Sequence, residues 1–181
     1  MRNYLHLIGQ KKQGDNVSIA HKLRGSLKWE SIRLKGIYLK PIDKSNWEEA
    51  IRLSVKKEQQ TFIASNLYSI AEVQFLDNFY AKGIYLDNKM IGFTMFGIDP
   101  DDHNYWIYRL MIDEEFQGKG IGKQAIYLVI EEIRRNNNAN IPLIMIGYNP
   151  ENLTAKFVYK KAGFIETELS SWGEQLVKYF L

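Results

Sequence analysis

Gln117-Gly118-Lys119-Gly120-Ile121-Gly122-Lys123 separates the apolar run Trp106–Ile112 from the amphipathic run Ile121–Arg135. It reads as a turn that ends a strand and opens a helix. The first N–H groups of a helix have no internal partner, and the dipole at that end favours negative charge. Glycines let a bulky anion approach the main chain, so the loop suits a diphosphate. Two nucleotide readings fail on spacing. The dinucleotide fingerprint needs Gly-x-Gly-x-x-Gly, whereas the glycines fall at 118, 120 and 122. A P-loop needs four residues between its glycines and a hydroxyl after the lysine, whereas three separate Gly118 from Gly122 and Gln124 follows Lys123.

A second signature lies downstream, from Asn149 to Phe164. It reads as one short helix with Asn149 as N-cap, Pro150 in the first helical position, Glu151 in the first turn and Gly163 as the C-terminal stop. The pattern Gln-x-x-Gly-x-Gly over 117–122 resembles the acetyl-coenzyme A loop of the GCN5-related N-acetyltransferases (GNAT). Asn152, Ala155, Tyr159, Lys161, Gly163 and Phe164 resemble the second half of the same core. The resemblance spans residues 36–181.

It implies an α/β fold: a central twisted mixed sheet flanked by helices, in which the strands at 106–112 and 141–147 splay apart and admit pantetheine. It also implies acetyl-CoA as acetyl donor, a small-molecule amine as acceptor, and room for a homodimer. By the match, Leu110, Met111 or Ile112 supplies the main-chain oxyanion donor, and Gln117, Gly118, Lys119, Gly120, Ile121, Gly122 and Lys123 hold the cofactor. Asn152 bonds the pantetheine arm, Lys161 faces phosphate, and Tyr159 is the general acid to the departing thiolate. A phenol near pKa 10 is protonated at neutral pH and able to donate. Packing on one helical face is the competing role for Tyr159.

Composition narrows the classes. The chain of 181 residues is 45% apolar, enough for one ample core. It has no cysteine, which excludes a disulfide scaffold and a thiolate zinc site, and its three histidines are scattered; no metal is expected. No apolar run approaches the ~20 residues needed to cross a bilayer, so a cytoplasmic protein with no membrane partner is expected. Residues 1–38 carry eight Lys/Arg against Asp15 and Glu30, a net of +6. Since the whole chain is +3, residues 39–181 sum to −3. The basic segment 1–35 has poor periodicity and reads as a poorly ordered extension. Three roles are open for it: an arm for nucleic acid, a transit-like leader, or an extension from a start codon placed too far upstream. The third is favoured, because the acetyltransferase pattern begins near Gly36; a nucleic-acid partner is not expected.

Beyond residue 36 the pattern predicts a strand at 37–42, a helix at 46–53 capped by Ser45, and helix again around 69–78. A hairpin follows (83–86 and 90–98 about Asp87-Asn88), then a strand at 104–112, a helix at 121–135 and a strand at 141–146. After the Asn149 helix comes a final hairpin, 164–169 and 175–181. The candidate general bases are Glu115, Glu72, Asp99, Asp101 and Asp102, and Arg109 reads as a structural ion-pair partner. The runs Val55–Asn66 and Ser69–Glu72, together with Gly92–Gly97, resemble bacterial spermine/spermidine acetyltransferases. The carboxylates Glu72, Asp99, Asp101 and Asp102 are therefore candidates for drawing in a polyamine, with Tyr68, Tyr105 and Trp106 as stacking surfaces. An N-terminal amine of a protein or an aminoglycoside is the alternative acceptor, and a non-catalytic acyl-CoA-binding regulator the alternative outside enzymology.

Overall fold

The computed structural model describes residues 36–181; the basic segment 1–35 lies outside the described residues. Among the described residues seven strands form one mixed sheet in the order β1-β2-β3-β4-β5-β7-β6: β1 Ile37–Pro41, β2 Phe79–Leu86, β3 Lys89–Ile98, β4 Tyr105–Ile112, β5 Leu143–Tyr148, β6 Ile165–Leu169 and β7 Gln175–Phe180. Every pairing is antiparallel except β4 with β5. The helices are α1 Trp47–Arg52, α2 Asn66–Glu72, α3 Ile121–Asn136 and α4 Leu153–Ala162.

Local chemistry accounts for most boundaries. Leu86 pairs with Lys89 across Asp87-Asn88, and Asp87 takes the positive φ of 52° that a two-residue hairpin requires. α3 buries Ile121, Ala125, Ile126, Val129, Ile130 and Ile133 as one stripe. α2 begins three residues before its expected start because Ser65 accepts a hydrogen bond from the Tyr68 N–H. Two expected caps move. Ser45 does not cap α1, since its N–H and hydroxyl both donate to Asp43 Oδ1 and Asn46 stands at the cap position. Asn149 caps only a preceding turn through the Glu151 N–H; the N-cap of α4 is Asn152, which accepts from the Ala155 N–H at 3.0 Å. α4 stops at Gly163, φ 98°, where Phe164 N–H reaches Tyr159 O and Gly163 N–H reaches Lys160 O.

Two features of β4 set up the cleft. The register against β3 slips between Met95 and Phe96, leaving Tyr108 opposite no residue. That bulge puts Tyr108 and Arg109 on the α2 side: Tyr108 packs on Phe79 and Arg109 reaches Glu72, while Ile107 packs in the α3/α4 core. Second, β4 meets β5 at only two register pairs, Tyr105↔Ile144 and Trp106↔Met145. Beyond them the strands diverge, as the resemblance implied.

Candidate active site

The divergence opens a cleft of about 970 Å³. Its walls are Ile107–Ile112 on β4, Ile146–Tyr148 on β5, the glycine loop, α4, part of the 55–64 segment, and Glu174.

The glycine loop matches its expected form. Gly118 and Gly120 adopt φ of 77° and 76°, a region closed to most L-residues. A Cβ at either position would meet nothing within 4 Å, so the main chain faces open space. Gly120 is the N-cap of α3 and offers no side-chain acceptor, which leaves the first N–H groups of that helix for an anion. This cradle fits a diphosphate. The side chains divide. Lys123 lines the cleft, whereas Lys119 lies outside it, over Phe116, with its ammonium donating to Glu115 O at 3.0 Å. Ile121 is buried in the core, leaving only its backbone at the loop. Gln117 donates to Gln59 Oε1 at 2.8 Å and to Ile112 O at 2.9 Å, tying the loop to β4 and to the 55–64 segment.

Tyr159 lines the cleft and is 8% exposed, with its ring between Tyr148 and Phe164. No group among the described residues bonds its hydroxyl. Burial pushes its phenol well above the ordinary tyrosine value, and the Glu174 charge adds to the shift. The neighbouring Tyr148 also lines the cleft but donates to Glu166 Oε1 at 2.7 Å. Burial, then that bond, pushes the Tyr148 phenol up. Of the two phenols, Tyr159's is the one without a hydrogen-bond partner among the described residues. Asn152 lines the cleft while its Oδ1 caps α4, leaving the amide NH₂ for a ligand. Leu110, Met111, Ile112 and Lys161 line the cleft.

The acidic candidates are placed elsewhere. Asp99 is buried: its Oδ1 accepts from the Asp101 N–H at 2.8 Å and its Oδ2 from the Tyr108 hydroxyl at 2.5 Å. Asp102 accepts from the Asn104 N–H and from Trp106 Nε1, both at 2.9 Å. These hydrogen bonds commit both carboxylates to the β3–β4 connection, Asp99 buried and Asp102 exposed; with Asp101 they lie outside the cleft lining. Glu72 is held by Arg109 at 2.9 Å, the ion pair expected of that arginine. Glu115 pairs with Lys89 on the surface. Tyr68, Tyr105 and Trp106 are outside the cleft lining too. Conversely, Gly147 and Glu174 line it without having been singled out. Both lie in a strand and a hairpin turn that carry no local motif, and only the fold joins them. Among the described residues no group of three or more His, Cys, Asp or Glu is placed for a metal, and no helix is long and apolar enough to cross a membrane.

The model of the acetyltransferase (GNAT) family matches residues 43–164. The chain belongs to that family. It is 27% identical over 148 residues to a spermine/spermidine N(1)-acetyltransferase of Bacillus subtilis, covering 78% of this chain and 96% of that protein. Solved structures share the fold at lower identity. The aminoglycoside acetyltransferase AAC(6')-Ib in complex with coenzyme A gives a TM-score of 0.67 at 14% identity, over 80% of this chain and 95% of that one. An acetyltransferase of Salmonella typhimurium that modifies the N-terminal serine of ribosomal protein L7/L12 gives 0.65 at 19%, over 81% and 96%. This protein is therefore a GNAT acetyltransferase acting on an amine.

Proposed function

We propose that the protein moves an acetyl group from acetyl-CoA to a primary amine of a polyamine such as spermine or spermidine. The observation that carries the chemistry is one continuous cleft joining the bare glycine loop, the β4/β5 gap and the unbonded hydroxyl of Tyr159. The bound donor supplies an activated thioester. Backbone N–H groups of Gly118–Lys123 cradle its diphosphate, with Lys123 and Lys161 as supporting charges. The Asn152 amide holds the pantetheine arm. On β4, an N–H of Leu110, Met111 or Ile112 that has no β5 partner is offered to the oxyanion; one such donor is typically worth ~2.7–4 kcal/mol. The amine nitrogen attacks the thioester carbon and the C–S bond breaks; Tyr159 donates to the departing sulfur, and the proton lost by the attacking nitrogen restores its phenol. A phenol is protonated at neutral pH, so the proton is in place when the C–S bond breaks.

The polyamine acceptor is supported by the Bacillus relative, matched over 96% of its length. Thiol release from acetyl-CoA with a panel of amines tests the reading. Spermine and spermidine are expected to give the highest kcat/KM, above an aminoglycoside and a peptide with a free N-terminal serine. Preference for either of those would replace the acceptor class but keep the reaction. Acetyl-CoA binding with no release for any amine would make the protein a non-catalytic acyl-CoA binder.

A further inference from the structure

Glu174 sits in the connection between β6 and β7, against the main chain of β5. A Cβ built on Gly147 would lie 2.4 Å from Glu174 Oε2, so any side chain at 147 would displace the carboxylate. Gly147 faces away from the α3/α4 core, because its neighbours Ile146 and Tyr148 fill that core. The glycine thus leaves the strand bare at the lip of the gap, and a carboxylate lies in the space. Trp172 Nε1 donates to Oε2 at 2.7 Å and fixes its orientation; Oε1 has no hydrogen-bond partner among the described residues.

The charge pattern of the cleft makes this carboxylate unusual. Among the described residues, the anionic groups lining it are Glu58 and Glu174, against Lys56, Arg109, Lys123 and Lys161. Arg109 is matched by Glu72, and Lys123 and Lys161 are assigned to the donor. No cation among the described residues pairs with Glu174. A half-buried carboxylate without a cation is open to a charge-assisted contact with a cationic ligand. It is also close enough to Tyr159 for its charge to act on that phenol.

We propose that Glu174 is the residue that binds the cationic end of the acceptor amine at the β4/β5 gap, with Trp172 holding the carboxylate in place and Gly147 making room for it. This assignment rests on the acetyltransferase reading and adds the acceptor's anchor, which none of the carboxylates of the β3–β4 turn provides. The contact selects acceptors that carry positive charge, as spermidine does at neutral pH, and brings their nitrogen to the end of the cleft where the thioester lies.

The test is Glu174→Gln, which keeps the shape and an acceptor oxygen for Trp172 but removes the charge. Calorimetry would measure spermidine binding to CoA-saturated protein, alongside steady-state acetylation. Removing a charge-assisted contact predicts a fall of about 10- to 100-fold in spermidine affinity, a matching rise in KM, and unchanged affinity for CoA. Trp172→Phe should cost several-fold less, since it leaves the charge. Spermidine affinity within about twofold of wild type in Glu174→Gln would overturn the assignment while leaving acetyl transfer intact. Full loss in Trp172→Phe with none in Glu174→Gln would also overturn it, by showing that the bond only shapes the hairpin. If the wild-type protein released no CoA with any amine, the functional reading would fail and this one with it.

Discussion

The two edges of β4 are used in opposite ways. Toward β3 the ladder runs the length of the strand, from Gly92↔Ile112 to Ile98↔Tyr105, interrupted only by the bulge at Tyr108. Toward β5 it stops after two pairs, and β5 instead pairs with β7 over six. In the closed half, backbone groups satisfy one another and glycines mark places where chains press together. In the open half, backbone and glycines face a cleft. The same strand thus gives the sheet its continuity on one edge and its reactive surface on the other. This predicts that substitutions on the closed side damage stability, and those on the open side damage binding or rate.

The largest expected effect is on the open side. Tyr159→Phe keeps the ring and removes the donor, so kcat should fall ~100- to 10,000-fold with acetyl-CoA affinity unchanged in a calorimetric titration. Turnover within about twofold of wild type would make Tyr159 a packing residue. The phenol also has a stability signature. Burial raises its pKa above the ordinary value of 10.0, so above that pH the unfolded chain loses this proton before the folded one. Stability should therefore fall as pH rises past 10, and less steeply in Tyr159→Phe, as read by urea unfolding at pH 9 and pH 11.

Gly97→Ala probes the closed side. A Cβ there would meet Asn78 O at 2.3 Å and Phe79 Cα at 2.6 Å, both backbone atoms that cannot rotate aside. The cost should be about 1–3 kcal/mol in urea unfolding, with acetyl-CoA affinity of the folded protein unchanged. Lost affinity without lost stability would break the division between the two edges.

Gly120→Asp is the corresponding change on the open side. Space is no obstacle, and the φ of 76° is one that Asp tolerates better than most residues. Repulsion of the diphosphate should weaken acetyl-CoA about tenfold, or about 1.4 kcal/mol, with little change in Tm. Gly120→Asn separates charge from backbone strain and should retain most of the affinity.

What the sequence made legible follows the same division between local and assembled features. Gly118, Gly120 and Gly163 were readable because each satisfies a backbone need fixed by its immediate neighbours: a positive φ, a helix start or a helix stop. Tyr159 and Asn152 stood out only through the resemblance of 149–164 to the acetyltransferase core, and both line the cleft. The cap of α4 was misplaced because Asn149 and Asn152 are both good N-caps, and the tight turn at Pro150 decides between them. The carboxylates of the β3–β4 connection show a different limit. Their number can be counted, but whether an aspartate faces solvent or its own turn depends on where Tyr108 and Trp106 point, which the bulge and the sheet decide. Glu174 was silent for the complementary reason. It comes to the site from a hairpin with no motif, and what marks it is a missing side chain at Gly147, on another strand.

That contrast gives the smallest expected effect. Asp101 is exposed, and unlike Asp99 and Asp102 it lends the turn only its backbone N–H, which donates to Asp99. Asp101→Asn therefore removes one negative charge without unpicking the β3–β4 connection. If a cluster of acidic charge drew in the polyamine, spermidine KM should rise about tenfold on this change, as for Glu174→Gln. If the acceptor enters at the β4/β5 gap, KM should stay within about twofold at physiological ionic strength, where charges separated by more than roughly 8 Å are screened. A modest rise at low salt that disappears in 0.15 M salt would fit long-range steering alone. A tenfold rise that survives salt would place an acceptor contact at the end of the closed ladder, and the division of β4 into a structural and a reactive edge would have to be redrawn.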